Sequence, residues 1–295
     1  MATILDGKAL AEELNAFNAR RVAKLAEADV VPGLAIISFG EESGQVYVKN
    51  KIKTCEKLGI HCEHILFTEE EDWNNESGII HEIDRLNKRD DIHGIIVQLP
   101  IPYSFNVSVR NIINAIDPKK DVDGLTEVNV GALWSSCDPE HFPCTPLGIM
   151  SLFRSYDIPL EGKNVVIIGR SDLVGKPLAA MMLEENATVE IWHSHTNPGN
   201  RDHMIQHADI IVCATGRPNM LDRYDCQSKI VIDVGINRVD GKIVGDIPES
   251  VKGGFSKAYT PVPGGVGPMT VAMLMNNVIN AAEWRWLGEL IEGEN

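Results

Sequence analysis

Tyr47 and Lys51 stand four residues apart in the stretch 45 to 58, where Val48, Ile52 and Cys55 recur at helical spacing. The ring and the amine therefore share the flank of one amphipathic helix. A lysine at such a boundary either snorkels its amine to water or enters a cleft, where burial lowers its pKa and makes it a proton carrier. Gln98 follows the apolar run Ile95-Ile-Val97 and precedes Leu99-Pro100-Ile-Pro102. Prolines straight after a strand stop its ladder at the end where α/β ligands bind. A buried glutamine there needs a partner, and Lys51 is the candidate.

Asp121 and Asp123 flank Val122 ahead of Gly124. The loop has no alternating acids of the calcium-binding kind, and one of the two carboxylates is free to form an Asx turn. Thr260-Pro-Val-Pro263-Gly-Gly265-Val-Gly267-Pro268-Met-Thr270 is rigid and kinked at once, which suits a loop lining a ligand better than a linker.

Residues 164 to 178, Asn-Val-Val-Ile-Ile-Gly-Arg-Ser-Asp-Leu-Val-Gly-Lys-Pro-Leu, read as a buried strand, a small-residue turn and a helix start. Gly169 lets the chain leave the strand sharply, and Gly175 lets the helix begin close to it. Backbone N–H groups and the helix dipole then favour an anion, as at a dinucleotide pyrophosphate. The spacing departs from G-x-G-x-x-G, with Arg170 and Ser171 in place of small residues; an ordinary strand-to-helix turn is the alternative. After the next strand, Thr188 to Trp192, an NAD site would carry an acid for the ribose hydroxyls. The chain reads His193-Ser194-His195-Thr196. An arginine in the turn and no carboxylate at that strand end point to NADP.

These residues need a frame of alternating strands and helices. Leu10 to Leu25, Gln45 to Leu58, Gly78 to Leu86 and Asn111 to Ile116 carry helical periodicity; Gly33 to Phe39, Cys62 to Phe67 and Gly94 to Leu99 read as strands. Thr145 is expected to cap a helix opening at Pro146. Strands follow at 165 to 168, 188 to 192, 209 to 214 and 229 to 234, and a long helix runs from about Met269 to Trp286. The expected fold is α/β: two domains of repeated βα units, the second Rossmann-like, with the ligand cleft between them. Residues 1–144 plus 270–295 would form the first, and 145–269 the second.

The 295 residues suffice for two domains, and 27 basic against 42 acidic side chains give a net charge of −15. That is the wrong sign for a nucleic-acid surface. No stretch of about 18 apolar residues exists and the N-terminus lacks a signal-peptide layout, so a cytoplasmic protein without membrane partners is expected. The six cysteines contain no C-x-x-C pair and read as reduced thiols. His193-x-His195 and His203-x-x-x-His207 have spacings known from zinc sites, but nothing completes a ligand set and no metal is expected.

Tyr47-x-x-x-Lys51, Val97-Gln98-Leu-Pro-Ile-Pro102, Asp121-Val-Asp123-Gly124, Pro143-Cys-Thr-Pro146, Gly169-Arg-Ser-x-x-Val-Gly175, Val231-Ile-Asp-Val-Gly235-Ile-Asn-Arg238 and Pro261-Val-Pro-Gly-Gly-Val-Gly-Pro-Met-Thr270 together resemble the bifunctional methylenetetrahydrofolate dehydrogenase/methenyltetrahydrofolate cyclohydrolase family. The likeness runs from Ile4-Leu-Asp-Gly-Lys8 to the final helix. It implies oxidation of methylenetetrahydrofolate with NADP and hydrolysis of the methenyl product to 10-formyltetrahydrofolate, in one-carbon metabolism and purine supply, by a homodimer. It further implies that Lys51 handles the proton of the hydrolytic step, that Gln98 sets its protonation, and that Tyr47 positions the folate's aromatic part. Asp123 would bind the pterin, and Pro263, Gly264 and Gly265 would line the folate pocket. Arg170 and Ser194 would take the adenosine 2′-phosphate, with Gly169, Ser171, Gly175, Thr145 and Ile236 also on the cofactor. Two departures are visible: the loop between Gly40 and Tyr47 is shorter, so Ser43 receives no role, and Gly245-Asp246 is followed by Ile-Pro-Glu-Ser instead of Val-Asp-Phe. A different α/β dehydrogenase sharing only the nucleotide domain, or a non-catalytic NADP sensor, are the competing classes.

Overall fold

The computed structural model describes residues 2–40, 42–68 and 75–293, and the side chains of 42–46, 254–255 and 289–293 lie outside the description. In chain order the elements are β1 (Thr3–Ile4), α1 (Gly7–Ala26), β2 (Gly33–Phe39), α2 (Glu42–Leu58), β3 (His61–Phe67), α3 (Glu76–Asn87), β4 (Gly94–Val97), α4 (Val109–Asn114) and α5 (Glu127–Trp134). There follow α6 (Cys144–Ser155), β5 (Asn164–Ile168), α7 (Gly175–Glu184), β6 (Thr188–Trp192), α8 (Pro198–His207), β7 (Ile210–Cys213) and β8 (Ile230–Asp233). The chain closes with β9 (Asn237–Val239), β10 (Lys242–Val244), α9 (Glu249–Phe255), β11 (Ala258–Tyr259) and α10 (Val266–Gly293).

Two compact units result. One comprises Leu14–Ala132, Cys137–Phe142 and Met273–Asn295; the other comprises Met1–Glu13, Leu133–Ser136 and Pro143–Ala272. The first is built on a parallel sheet of order β3-β2-β4. β2 is central, and all seven of its residues are buried, which is why its sequence is an unbroken run of apolar and small residues. Ile37, Ile95 and Val97 meet Ile79, Ile83 and Leu86 of α3 in one apolar cluster.

The second unit carries a six-stranded sheet of order β1-β11-β8-β7-β5-β6, parallel throughout. The chain moves outward from β5 to β6 and then returns to the other side of β5 with β7. Strand order therefore reverses at β5, and loops leaving β5 and β7 diverge from a common crevice at their C-terminal ends, the usual ligand position in a doubly wound sheet. Val166, Ile168, Ile211, Cys213 and Val231 pack with Trp192, Met204 and Ile205 beside it.

The parallel α/β architecture agrees with the alternation of patterns in the sequence. The additions are short or polar: β1, β11, the β9–β10 hairpin and α5 carry too few residues or too weak a period to announce themselves. Thr3 and Ile4 pair with β11 in the six-stranded sheet. Thr145 is not the helix cap. α6 begins two residues earlier, at Cys144 behind Pro143, and the Thr145 hydroxyl is turned to Thr270 Oγ1 at 3.0 Å.

Candidate active site

In the three-stranded unit, Lys51 lies in the third turn of α2 and is half-buried, one turn beyond the exposed Tyr47. Its Nζ donates to Gln98 Oε1 at 3.0 Å. Gln98 directly follows β4 and extends the ladder by donating its N–H to Ile37 O. Its side-chain Nε2 donates to Leu99 O at 2.9 Å, so the amide nitrogen is committed and the oxygen is left to accept from the lysine. Sequence reasoning paired these two residues, and the fold brings them together.

The 121–124 segment runs beside β4. Ile95 bridges Asp121 in parallel register, and a Cβ at Gly94 would stand 2.7 Å from Val122 Cγ1. From the other side, Asn277 Nδ2 of α10 donates to Val122 O at 2.9 Å. Asp123, two residues past the bridge, thus lies at the same end of the sheet as Gln98. The two aspartates differ completely. Asp121 is buried, and its carboxylate accepts from Leu125 N, Thr126 N and Asn129 Nδ2 at 3.1, 2.7 and 2.8 Å. Burial pushes its pKa up to about 6, against the pull of those donors. Its bonds reach four and five residues ahead, so it braces the segment that leads into α5 and does not form an Asx turn. The half-buried Asp123 carboxylate has no hydrogen-bond partner among the described residues and is available to a ligand.

In the six-stranded unit, the turn after β5 has glycines where nothing else fits. Gly169 has φ +126°, and a Cβ there would lie 2.4 Å from Ala214 O at the end of β7. A Cβ on Gly175 would lie 2.3 Å from Gly169 O. Helix α7 can therefore start against the end of β5; Lys176 N donates to Ser171 O at 3.1 Å and Pro177 has no N–H, so the Gly175 N–H is the first-turn donor left for an anion. Ser171 Oγ accepts from Val174 N at 3.2 Å and shapes the turn. Arg170 is exposed, and among the described residues no carboxylate pairs with it.

At the end of β6, Thr196 N donates to His193 O and His193 N to Thr196 Oγ1, both at 2.9 Å, closing a tight turn with Ser194 exposed on it. Burial, then the charges of Arg170, His195 and Arg201, hold the His193 pKa below its ordinary value. No acid stands on this turn. A ribose hydroxyl finds no carboxylate acceptor here, whereas a ribose phosphate finds cations, and the donor set fits NADP.

The 261–265 loop is packed hard against the start of α1. Gly264, at φ +108°, accepts at its carbonyl from Lys8 N at 2.8 Å. A Cβ on Gly265 would lie 2.5 Å from Pro261 O, and one on Gly7 2.0 Å from Gly265 O. Pro263 follows a cis peptide bond. Ile236 is exposed just ahead of β9.

Sequence reasoning missed a buried polar network behind the crevice. Asp246 Oδ2 accepts from Thr215 N, Thr215 Oγ1 and Gly216 N at 2.7, 2.9 and 3.0 Å, fixing the loop that leaves β7. Asp233 accepts from Asp246 N and Ile247 N and from the fully buried Lys252 Nζ at 2.8 Å. The available signal was the glycine after each acid's strand: Cβ atoms on Gly235 and Gly245 would collide with the Asp246 and Asp233 carboxylates at 1.9 Å. Among the described residues no group of three His, Cys, Asp or Glu could hold a metal ion, and all six cysteines are free thiols. Ser43 falls outside the described side chains.

A doubly wound nucleotide-binding sheet, joined in one chain to a second parallel unit with a lysine–glutamine pair at its strand end, defines the class. Family models agree: the tetrahydrofolate dehydrogenase/cyclohydrolase catalytic domain matches residues 5–123, and the NAD(P)-binding domain of the same family matches residues 143–286. The chain belongs to the tetrahydrofolate dehydrogenase/cyclohydrolase family. It is 44% identical over 286 residues to the bifunctional protein FolD of Streptococcus equi subsp. zooepidemicus, covering 96% of this chain and 98% of that one. The crystal structure of the bifunctional FolD enzyme from Campylobacter jejuni superposes with a TM-score of 0.91 at 41% identity, covering 97% and 100% of the two chains. The Trypanosoma brucei dehydrogenase-cyclohydrolase, solved with NADP cofactor and an inhibitor, gives 0.89 at 32% identity, covering 96% and 98%.

Proposed function

We propose that the chain oxidises 5,10-methylenetetrahydrofolate to the methenyl form with NADP and hydrolyses that product to 10-formyltetrahydrofolate. The observation that carries this reading is the Lys51–Gln98 hydrogen bond at the open end of β4, beside a carboxylate that the protein itself leaves unengaged.

Hydrolysis needs water to add to the methenyl carbon, one of that carbon's two bonds to nitrogen to break so that the ring opens, and a net proton to leave. The neutral form of the Lys51 amine, with one N–H given to Gln98 Oε1, keeps a lone pair for that proton. Gln98 holds the amine in place because its own N–H is tied to Leu99 O. Asp123 accepts from the amino and ring N–H groups of the pterin, a donor pair matched to a carboxylate's two oxygens. Tyr47, one helical turn from Lys51, offers a ring face to the folate's aromatic portion. Pro263, Gly264 and Gly265 form a preset folate-contacting loop that needs no ordering on binding.

NADP, when bound, supplies the hydride acceptor for the methylene bridge. The residues that would hold it are Gly169, Arg170, Ser171 and Gly175 in the turn after β5, Ser194 on the turn after β6, and Thr145 and Ile236. Their task is orientation, since hydride transfer asks for no protein acid or base. The folate-binding function is assigned to 1–144 plus 270–295 and the cofactor function to 145–269. A cytoplasmic homodimer that engages neither nucleic acid nor membrane completes the proposal; a net charge of −15 supports it. No described helix is long and apolar enough to cross a membrane.

The test is the absorbance of methenyltetrahydrofolate formed from methylenetetrahydrofolate with NADP or NAD. Turnover with NADP, followed by decay of the methenyl signal, is expected. Cofactor binding without folate turnover would overturn the reading in favour of a sensor.

A further inference from the structure

We propose that Arg201, on the first turn of α8, is a specificity-determining residue that positions the β6 turn and sets a second cation beside the 2′-phosphate of NADP. The inference rests on the NADP reading above and adds a residue that none of the motifs shared with the family contains.

Arg201 folds back from α8 onto the turn it follows. Its Nε donates to Thr196 O at 2.9 Å and its Nη2 to Ser194 O at 3.2 Å, and its guanidinium carbon lies 5.5 Å from the centroid of the Trp192 ring. One side chain thus grips residues 192, 194 and 196. The Trp192 ring is itself buried in the sheet's core, so the guanidinium is anchored to a fixed plate. With two carbonyls and a ring face holding it, little side-chain entropy remains to lose when an anion arrives.

The charge of this guanidinium is unspent. Arg21, Arg85, Arg89, Arg110, Arg154 and Arg285 are each paired with a carboxylate. Among the described residues neither Arg170 nor Arg201 has such a partner, and Nη1 of Arg201 makes no hydrogen bond. The charges of Arg170 and Arg201 both act on the His193 ring, which belongs to the same turn as Ser194. In a chain of net charge −15, an unneutralised arginine bound to the turn that carries an exposed serine, with a second unneutralised arginine acting on the same turn, selects a dianion over a neutral hydroxyl. The chemical group recognised is a phosphate monoester on a ribose. NAD, which presents a hydroxyl there, gains nothing from Arg201.

The experiment compares native protein with Arg201→Ala, Arg201→Gln and Arg201→Lys. Equilibrium binding of NADP and of NAD is measured by calorimetry, with adenosine 2′-monophosphate as a fragment probe and thermal melting to establish folding. Loss of one charge-assisted contact predicts NADP and fragment binding weaker by about 10- to 100-fold in the Ala and Gln variants, with NAD binding within about twofold of native. Arg201→Lys, which keeps the charge and loses the fork, should recover part of the loss. In the assay, KM for NADP should rise while kcat holds. Equal weakening of NADP and NAD would mark Arg201 as structural only and overturn the inference, as would an unchanged NADP affinity. A native protein that binds the two cofactors equally would overturn the NADP reading itself, and this inference with it.

Discussion

Lys51 Nζ donates to Gln98 Oε1 across 3.0 Å, and the same amide donates from Nε2 to Leu99 O at 2.9 Å, so the glutamine can meet the lysine only as an acceptor. The Lys51 amine is therefore tied to a strand end and not to a flexible loop. Lys51→Gln should cost hydrolysis about 10²- to 10⁴-fold while the hydride step, which needs only a placed substrate, persists. The readout is accumulation of methenyltetrahydrofolate while NADP reduction continues. Replacing Gln98 should depress hydrolysis as well, and the double variant should lose little beyond Lys51→Gln alone, because the two act as one unit. Native-rate hydrolysis by Lys51→Gln would return this lysine to a snorkelling role.

The neighbouring aspartates should separate substrate binding from stability. Asp123→Ala removes an unengaged acceptor; folate KM should rise in both reactions by about 10- to 100-fold, with NADP binding and melting temperature unchanged. Asp121→Ala strands Leu125 N, Thr126 N and the Asn129 amide, and should lower unfolding free energy by about 2–4 kcal/mol. Parallel measurement of KM and chemical denaturation tells the two apart, and an unaltered folate KM in Asp123→Ala would move the pterin contact elsewhere.

Asp121 also gives the fold a pH dependence of defined sign. Its carboxyl titrates near pH 6 in the folded protein and near 3.8 in the unfolded chain, so the folded state binds the proton more tightly. The stabilisation from protonation is complete below about pH 4 and is lost as pH rises through 6, an effect on the order of 3 kcal/mol. The unfolding free energy of native protein minus that of Asp121→Asn, followed from pH 4 to 7, should decline over this window. A flat difference would mean that the three donors cancel the burial.

The two glycines of the turn after β5, Gly169 and Gly175, should tolerate no side chain. Gly175→Ala places a methyl 2.3 Å from Gly169 O and must push α7 away from the strand. A loss of NADP affinity of about 100-fold or more is expected, with folate binding retained. Arg170→Ala should weaken NADP by about 10- to 100-fold and leave NAD almost untouched. Fluorescence titration with NADPH and NADH checks both variants.

Residues whose placement depends on a local pattern were legible in the sequence. A helix-flank lysine four residues from a tyrosine, a polar residue at a strand end and glycines at a strand-to-helix turn each announce their geometry through period or steric demand. The parallel α/β class followed from alternation of the same patterns. Asp121 and Asp123 were not separable, because their difference lies in which one faces Leu125 and Thr126 after the turn closes. Arg201 carried no signal, since its hydrogen bonds are to backbone carbonyls of residues that precede it, and any sequence supplies carbonyls. Asp233 and Asp246 stayed hidden for a related reason: their partners come from β7, β9 and α9, joined only by the folded sheet.

The register that pairs Thr3 with Ala258 and Ile4 with Tyr259 has a consequence for how the protein is made. β1 is made before β5 to β8, and its only described partner, β11, is made after them. During translation β1 waits, its edge unpaired, while β5 to β8 are synthesised, and the six-stranded sheet closes only when β11 emerges. A chain stalled or nicked before residue 258 keeps β8 as an apolar sheet edge, which is the form that quality-control proteases and aggregation both act on.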